Sequence, residues 1–229
     1  MPDSSLNYPR AYVAAPVAPA NGLFQAINWV FDQSEDLSWA SIGILVPTLG
    51  MGEELYHLRR LKGRGVRIGT VDQAVRSTTF RGAVIAYAPD TRMLTEAEDI
   101  AGVKACAVVA GGNDALGPWV DAHHPQHLGG QRLVARDPFA GDPRVHQAMA
   151  HLTRYWTRHP EPTDPVDLEV VTKTLGQLRA QGCRCTPEQL LAAALCLGWP
   201  GHRAWTLHEL ARGSLTDPAA PAMTGSLPL

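Results

Sequence analysis

Strand-like and helix-like runs alternate along this 229-residue chain from Ala11 to about Arg136. Short apolar runs are each followed by a segment with helical spacing, which is the order that builds a parallel sheet. The predicted strands are residues 11–17, 41–46, 66–71, 82–88, 104–110 and 131–135, and the predicted helices are residues 22–31, 51–61, 95–100 and 113–122. This pattern predicts a three-layer α/β fold with a mostly parallel, Rossmann-like sheet of five or six strands.

The remaining chain has the capping signals of a small helical region. Three predicted helix starts place a capping side chain directly before proline: Asp142-Pro143, Asp164-Pro165 and Thr186-Pro187. Gln189 completes a capping box with Thr186, and the same spacing at residues 206–209 predicts a short last helix. We therefore predict an α/β domain over residues 1–158 and a helical region over residues 159–229 that ends in a mobile tail.

Composition limits the partners and the location that we expect. The formal net charge is −2, so no overall attraction to nucleic acid or membrane is expected. Four cysteines are too few for a disulfide scaffold of this length and predict free thiols in a reducing compartment. The first residues lack a secretory signal pattern, and no apolar run reaches the roughly 18 residues of a membrane span. These features predict a cytoplasmic protein without a membrane partner.

The turn after the first predicted strand has the position of a phosphate-binding loop but not its chemistry. Residues 15–22 read Ala-Pro-Val-Ala-Pro-Ala-Asn-Gly. A loop that holds phosphates needs several glycines and a Lys-Ser/Thr pair, whose amides and ammonium group surround the anion. This turn has one glycine and no lysine. We therefore expect no nucleotide cofactor and no phosphoryl transfer.

Further segments follow this turn in the order of a known family. They are Val46-Pro47-Thr48, Glu53-Glu54-Leu55, residues 69–74 (Gly-Thr-Val-Asp-Gln-Ala) and residues 84–87 (Val-Ile-Ala-Tyr). Together with Ala15-Pro16, they make the N-terminal half resemble the first motor domain of superfamily-2 helicases, which has a RecA-like sheet. Ala86-Tyr87 stands where that family has the Asp-Glu pair that holds magnesium. The resemblance therefore implies a degenerate motor domain that has lost its ATPase chemistry.

Polar side chains follow several predicted strands, at what would be one edge of the sheet. They are Thr48, Thr70, Asp72, Asp90, Asn113 and Asp114. Ligands of open α/β sheets bind outside the carboxyl ends of the strands, so these residues are candidates for binding a small molecule. The alternative for Asn113 and Asp114 is a structural one, in which they cap the helix that follows Gly111-Gly112.

Seven basic residues lie between positions 59 and 81, where Asp72 is the only acid. Five of them are our candidates for contact with nucleic acid: Arg59, Arg60, Lys62, Arg64 and Arg67. Clustered cations bind a phosphate backbone by releasing its counterions. The alternative is a solvated helix end whose cations compensate the helix dipole. Phe80 is the only aromatic residue in this stretch, which gives little support for base stacking.

Two groups of metal-ligating residue types do not predict a metal site. The first group is Asp121, His123, His124 and His127. It lies in a predicted polar loop, and the sequence offers no obvious fourth ligand at a distance from it. The second group lacks the usual spacing of zinc cysteines and consists of Cys183, Cys185, Cys196 and His202. We interpret these cysteines as buried, inert thiols. No nucleophile elbow and no acid–base carboxylate pair is present, so the sequence argues against an enzyme.

These features lead to one principal hypothesis and two alternatives. The principal hypothesis is a non-catalytic protein of nucleotide-site ancestry that binds nucleic acid or a protein partner. The first alternative is a small-molecule enzyme that uses the polar residues at the strand ends. The second is an interaction module whose C-terminal helices contact a protein partner.

We expect the purified chain not to hydrolyse ATP, because phosphoryl transfer depends on cationic and metal stabilisation that residues 15–22 and Ala86-Tyr87 do not supply. A coupled assay on successive fractions of the eluting protein peak measures this. Turnover above about 0.1 s⁻¹, already low for an enzyme, would contradict the expectation if it followed the protein concentration across the peak.

Overall fold

The computed structural model describes residues 8–14, 19–33, 36–77, 80–112, 115–139, 141–158 and 165–216. The chain forms two compact units, Met1–Ala135 and Arg136–Leu229. The helix that begins at Pro143, which we predicted within the α/β domain, belongs to the second unit. Asn113, Asp114 and residues 15–18 of the predicted phosphate turn lie outside the described residues, as does the tail after residue 216; residues 19–22 of that turn belong to the helix that begins at Pro19.

A six-stranded sheet is the centre of the first unit. Its strands are β1 (Arg10–Ala14), β2 (Ile42–Leu45), β3 (Arg67–Gly69), β4 (Gly82–Tyr87), β5 (Val103–Val109) and β6 (Gln126–Gly130). Their spatial order is β3-β2-β4-β5-β1-β6, and every adjacent pair is parallel. The fold class predicted from the alternating pattern is confirmed: a three-layer, Rossmann-like α/β sheet, with a helical region at the C-terminal end of the chain.

Helices connect the strands and cover both faces of the sheet. They are α1 (Pro19–Asp32), α2 (Leu49–Glu54), α3 (Tyr56–Lys62), α4 (Val71–Arg76), α5 (Thr91–Glu96) and α6 (Gly117–His123). The chain moves one way across the sheet from β1 to β3, and then back from β3 to β6. Because parallel crossovers are right-handed, this reversal places α1 to α3 on one face and α4 to α6 on the other.

Side chains along the strands alternate between two hydrophobic clusters, one on each face. In β4, Ala83, Ile85 and Tyr87 belong to the cluster with α1 and α3. Val84 and Ala86 belong to the cluster with α4, α5 and α6. All of β4 is buried, as expected for a central parallel strand that is covered on both sides.

One aromatic ring fills the space over β2 and β3, where two strand positions are glycine. The Phe80 ring lies against Gly43 of β2 and Gly69 of β3 and is only 7% exposed. A Cβ atom on Gly43 would lie 2.4 Å from the ring carbon Cδ1 of Phe80. Close packing against this ring is therefore what excludes a side chain at Gly43.

Three predicted elements of the first unit differ from the structure. The predicted helix 51–61 is two helices, because Leu55 has extended backbone angles between α2 and α3. The predicted strand 66–71 ends at Gly69, because Thr70 forms a capping box that starts α4, a helix that the sequence did not predict. The predicted helix 95–100 begins earlier, at Thr91, and finishes as a 3₁₀ turn over Ala97–Asp99.

The last predicted strand is wrong: residues 131–135 are irregular, and the sixth strand is β6, before them. The Leu133 backbone amide donates to the Tyr12 hydroxyl at 3.0 Å, so this segment is held by a tertiary contact. Gly130 ends β6 with a φ of +81°, and a Cβ atom there would collide with the Ala14 carbonyl oxygen. The strand therefore depends on a close approach to β1 that hydrophobic alternation cannot reveal.

Helices make up the regular structure of the described second unit: α7 (Pro143–Arg158), α8 (Pro165–Ala180), α9 (Pro187–Cys196) and α10 (Gly201–Thr216). Three side chains of α7 are almost completely buried, which confirms its predicted apolar face: Val145, Met149 and Leu152. The predicted capping box of Thr186 and Gln189 is confirmed at the start of α9.

The predicted helix start at residues 206–209 is wrong. Thr206 lies inside α10, where its hydroxyl donates to the His202 carbonyl oxygen at 2.9 Å. A threonine that bonds back to the preceding turn is compatible with a continuous helix, so the capping pattern was misleading here. Over the described ranges, no helix is both long and apolar enough to cross a membrane.

Replacing Gly43 with alanine tests the packing of Phe80 on β2. We expect Gly43→Ala to lower the free energy of unfolding by about 1–3 kcal/mol, because the buried ring must move to admit the methyl group. Urea denaturation followed by circular dichroism measures the change. Gly50→Ala is the control, because the nearest atom to a Cβ there is the Glu54 carboxylate at 3.9 Å. Equal stabilities of the two variants would contradict the packing argument.

Candidate functional site

The predicted ligand residues of the described chain lie at one edge of the sheet, which we call the carboxyl edge. Thr48 follows β2, Thr70 follows β3 and Asp90 follows β4, and all three strands run the same way. Each of the three residues is the N-cap of a helix. The Thr48 hydroxyl accepts from the Met51 amide at 3.4 Å, and the Asp90 carboxylate accepts from the Met93 amide at 2.7 Å.

Asp72 lies exposed in the first turn of α4 and acts electrostatically on Arg92 of α5, as Asp90 does. The Arg92 guanidinium donates to Glu96 at 2.8 Å, and this hydrogen bond is the main cause of its raised pKa. The structure therefore brings the Arg92 cation together with the carboxylates of Asp72, Asp90 and Glu96 at the carboxyl edge. Ligand binding by Thr48, Thr70 and Asp72 stays a prediction.

A strained residue at the same edge was not singled out from the sequence. Ala88, directly after β4, has a φ of +48°, which is unfavourable for a residue with a Cβ atom. Its amide donates to the Val109 carbonyl oxygen at 2.7 Å, which holds this conformation. Nearby, burial lowers the pKa of His57 and raises the pKa of Tyr87, whose rings lie 5.7 Å apart.

The five predicted nucleic-acid residues lie together at the opposite, amino edge of the sheet; we call them the basic surface. Arg59, Arg60 and Lys62 are on α3, Arg64 is in the turn that follows, and Arg67 begins β3. Leu58 and Leu61 of α3 are buried against the sheet. Because helical positions three and four apart share a face, this burial turns the neighbouring cations outward.

The basic surface has no acidic partner in the part of the chain that the structure describes. All five side chains are exposed, and none of them forms an ion pair with a described residue. Two further exposed cations, Arg76 at the end of α4 and Arg81 before β4, lie toward the same edge. Asp72, in the first turn of α4, forms no ion pair with any of these cations in the described part of the chain.

Two aromatic rings next to the basic surface were missed, because the sequence was searched only between positions 59 and 81. Tyr56 is 65% exposed, and the Arg60 guanidinium lies 5.7 Å from its ring centre. The Arg64 guanidinium lies 5.1 Å from the ring centre of Trp39. The four-residue spacing of Tyr56 and Arg60 on a helix was a usable signal. Phe80, the ring that was noticed, is buried over β2 and β3.

The basic surface and the predicted ligand residues are not parts of one site. Arg67 begins β3 and Thr70 follows its end, so about 10 Å of strand separates them at about 3.3 Å per residue. The same strand direction separates the two groups along the whole sheet. Any ligand at the carboxyl edge is therefore distinct from an anion bound at the basic surface.

A buried carboxylate, Glu98, is the centre of a polar network that the sequence did not predict. Its side chain is 4% exposed. It accepts hydrogen bonds from the Tyr8 hydroxyl at 2.7 Å, from Nη2 of Arg10 at 2.7 Å and from Nε1 of Trp119 at 2.7 Å. Burial opposes ionisation of Glu98, but His123, Arg10 and Trp119 outweigh it, so its pKa lies below the usual value.

The histidines that were considered as metal ligands have separate environments. His123 faces Glu98 at 3.5 Å, and burial lowers the pKa of His123 to about 4. His124 is exposed in a left-handed conformation that ends α6. The His127 ring packs on Tyr12 and its Nε2 lies 3.2 Å from the Gly130 carbonyl oxygen. Within the described ranges, no three His, Cys, Asp or Glu side chains are placed to hold a metal ion.

Cysteine burial follows the prediction at two of three positions in the second unit. Cys183 and Cys185 are buried, and burial raises the pKa of the Cys185 thiol to about 12. Cys196, at the end of α9, is exposed, so its predicted burial is wrong. The six residues before it, Leu190–Leu195, are all buried, so the burial of α9 stops only at its last residue, Cys196.

Comparison with protein-family models, curated proteins and solved structures gives no match for this chain. What the structure defines is a class: a parallel, three-layer α/β protein with a helical C-terminal region. The similarity to helicase motor domains stays a prediction.

Acidification tests the buried network through His123. Between pH 6.5 and about 4 the unfolded chain binds a proton at this residue that the folded chain does not, so folding stability falls as the pH falls. We expect a loss of about 1.4 kcal/mol per pH unit from this residue, or about 3 kcal/mol in total.

Urea denaturation of the wild type and of His123→Gln at several pH values between 7 and 4 measures this contribution. The variant should have the shallower dependence on pH. His151→Gln, at an exposed position of α7, is the control and should follow the wild type. If His123→Gln also follows the wild type, His123 does not titrate in the way that its burial implies.

Proposed function

We propose that the chain binds nucleic acid through the basic surface and that it does so without nucleotide hydrolysis. The observation that carries the proposal is a set of exposed cations on α3, the following turn and the start of β3, free of ion pairs with described residues. Nucleic acid holds condensed counterions along its phosphates, and protein cations that neutralise those phosphates release the counterions, which favours binding. Nucleic acid has the required charge density.

Helix-dipole compensation does not account for the whole surface. It accounts for Arg59, Arg60 and Lys62, which lie in the last turn of α3. Arg64 and Arg67 lie beyond the helix end, in a turn and at the start of a strand. Arg64 is within one turn of the helix end, so the same dipole accounts for it, but Arg67 at the start of β3 is not, and an external anion is the better explanation for its charge.

Acidic side chains near the amino edge do not remove this charge. Asp36 lies before β2 and Asp99 lies before β5, and each already has an interaction of its own. The net charge of −2 therefore conceals an uneven distribution, in which one edge of the sheet has cations that form no ion pair with a described residue. Binding by such a surface is short-ranged and depends strongly on salt.

The alternative of a small-molecule enzyme has less support. Thr48 and Asp90 use their side-chain oxygens to cap helices, and Asp72 is close to the Arg92 cation. Among the described residues, the strained backbone at Ala88 favours a ligand at the carboxyl edge. A protein partner for the C-terminal helices remains a hypothesis of the sequence.

Salt dependence tests the proposed function. Fluorescence anisotropy with labelled oligonucleotides, from about 50 mM to about 200 mM salt, should give affinities that fall linearly on a double-logarithmic plot. The double variant Arg59→Ala/Arg60→Ala should weaken binding evenly across sequences and flatten the slope by about one to two units. Its stability should change by less than about 0.5 kcal/mol, because both side chains are exposed.

The control variant removes the same charge elsewhere. Arg154 and Lys173 are exposed on α7 and α8, so Arg154→Ala/Lys173→Ala lowers the net charge equally without altering the basic surface. We expect its salt slope to equal that of the wild type. No binding at about 50 mM salt, or equal losses in the two double variants, would reject the proposed interface.

A further inference from the structure

The outer face of α3 has an exposed aromatic ring in line with two cations of the basic surface. Tyr56, Arg59 and Arg60 lie three and four positions apart, on the side of the helix opposite the buried Leu58 and Leu61. Tyr56 is 65% exposed, although its ring is large and apolar. The Arg60 guanidinium lies 5.7 Å from the ring centre, which keeps a positive charge beside the ring.

We propose that Tyr56 is a stacking platform for an unpaired base and that the basic surface therefore prefers single-stranded nucleic acid to duplex. This proposal rests on the proposed function above. A base stacked on the Tyr56 ring leaves its phosphate near the Arg59 and Arg60 guanidinium groups. Surfaces that bind single strands combine cations and exposed rings in this way.

A second ring continues the arrangement past the end of α3. The Arg64 guanidinium lies 5.1 Å from the ring centre of Trp39, which precedes β2. Trp39 is half-buried and packs edge-on against Phe31, with their ring centres 5.0 Å apart. This packing gives Arg64 a fixed aromatic surface to rest on. The basic surface therefore has cations and rings at two separate points, as a track for a flexible strand requires.

Base stacking on Tyr56 predicts tighter binding of the single strand, whereas charge alone predicts tighter binding of the duplex. A comparison of the two affinities therefore tests the proposal. Duplex DNA has the higher density of phosphates, so charge alone favours the duplex over the single strand. Bases in a duplex are stacked on one another and offer no free face to Tyr56. Tighter binding of the single strand would therefore require an interaction other than charge.

The Tyr56 ring and the cations beside it do not coincide with the segments that resemble helicase motifs. The ring lies on the outer face of α3, whose first turn packs against Tyr87 at the end of β4, whereas the segments that resemble helicase motifs end at Thr48 and Thr70. The assignment to Tyr56 consequently does not follow from the resemblance. It follows from the exposure of the ring and from the cations beside it.

Anisotropy with a labelled mixed-sequence oligonucleotide of about 20 nucleotides, alone and as its own duplex, tests the proposal at constant salt. We expect the single strand to bind more tightly. Tyr56→Ala should lower its affinity at least about fivefold and should change the duplex affinity by less than about twofold. Tyr56→Phe keeps the ring and should bind like the wild type.

Phe24→Ala is the matched control, because Phe24 is 51% exposed on α1, away from the cations. Loss of single-strand affinity in Tyr56→Ala but not in Phe24→Ala supports the platform. Duplex binding that equals or exceeds single-strand binding, or equal effects of the two alanine variants, overturns it and leaves the proposed function intact. Absence of binding to both probes at about 50 mM salt rejects the proposed function itself. Melting temperatures of all variants verify that each remains folded.

Discussion

Parallel pairing of the strands is the constraint on which the rest of the first unit depends. Parallel neighbours need crossover helices, and each helix runs back against the direction of the strands. A helix that spans a crossover alone therefore begins at the carboxyl edge and ends at the amino edge, and in the crossover from β2 to β3 α2 begins at the first edge and α3 ends at the second. Caps such as Thr48, Thr70 and Asp90 collect at the first edge, and the last-turn cations of α3 and α4 collect at the second. The topology and the helix dipoles together account for these caps and last-turn cations, but not for Arg67 at the start of β3.

The buried Glu98 network shows how the same sheet is stabilised from within. One carboxylate joins the start of β1, the turn before β5 and helix α6, through Arg10 and Trp119. Taking an ion pair out of water costs free energy, which the multiple hydrogen bonds to Glu98 offset. Such a group is stable only when all partners are present, so it specifies one arrangement of these three elements. His123 lies against it in the neutral form, which ties this arrangement to pH.

The two edges of the sheet differ in how far their polar side chains are already engaged in contacts within the protein. At the carboxyl edge, capping and ion pairing already occupy the polar side chains, and Ala88 stores backbone strain. At the amino edge, the cations of the basic surface face solvent without described partners among the acids, and the Tyr56 ring is exposed on the same helix as three of them. An external anion with flat, stackable groups complements the second edge. The proposed function therefore uses the cations of the edge opposite the strand ends where α/β proteins usually hold ligands.

The sequence by itself determined the fold class, five of the six strands and the helix starts at Pro143 and Thr186, because apolar periodicity and caps are local signals. It also identified the cations of the basic surface. Tertiary structure alone decided that β6 precedes residue 131, that Thr206 lies inside a helix, and that Glu98 is a buried centre. It also brought Trp39 to Arg64, across 25 positions of the chain. These features depend on groups distant in sequence, and hydrophobic pattern records which side of an element is buried but not what it is buried against.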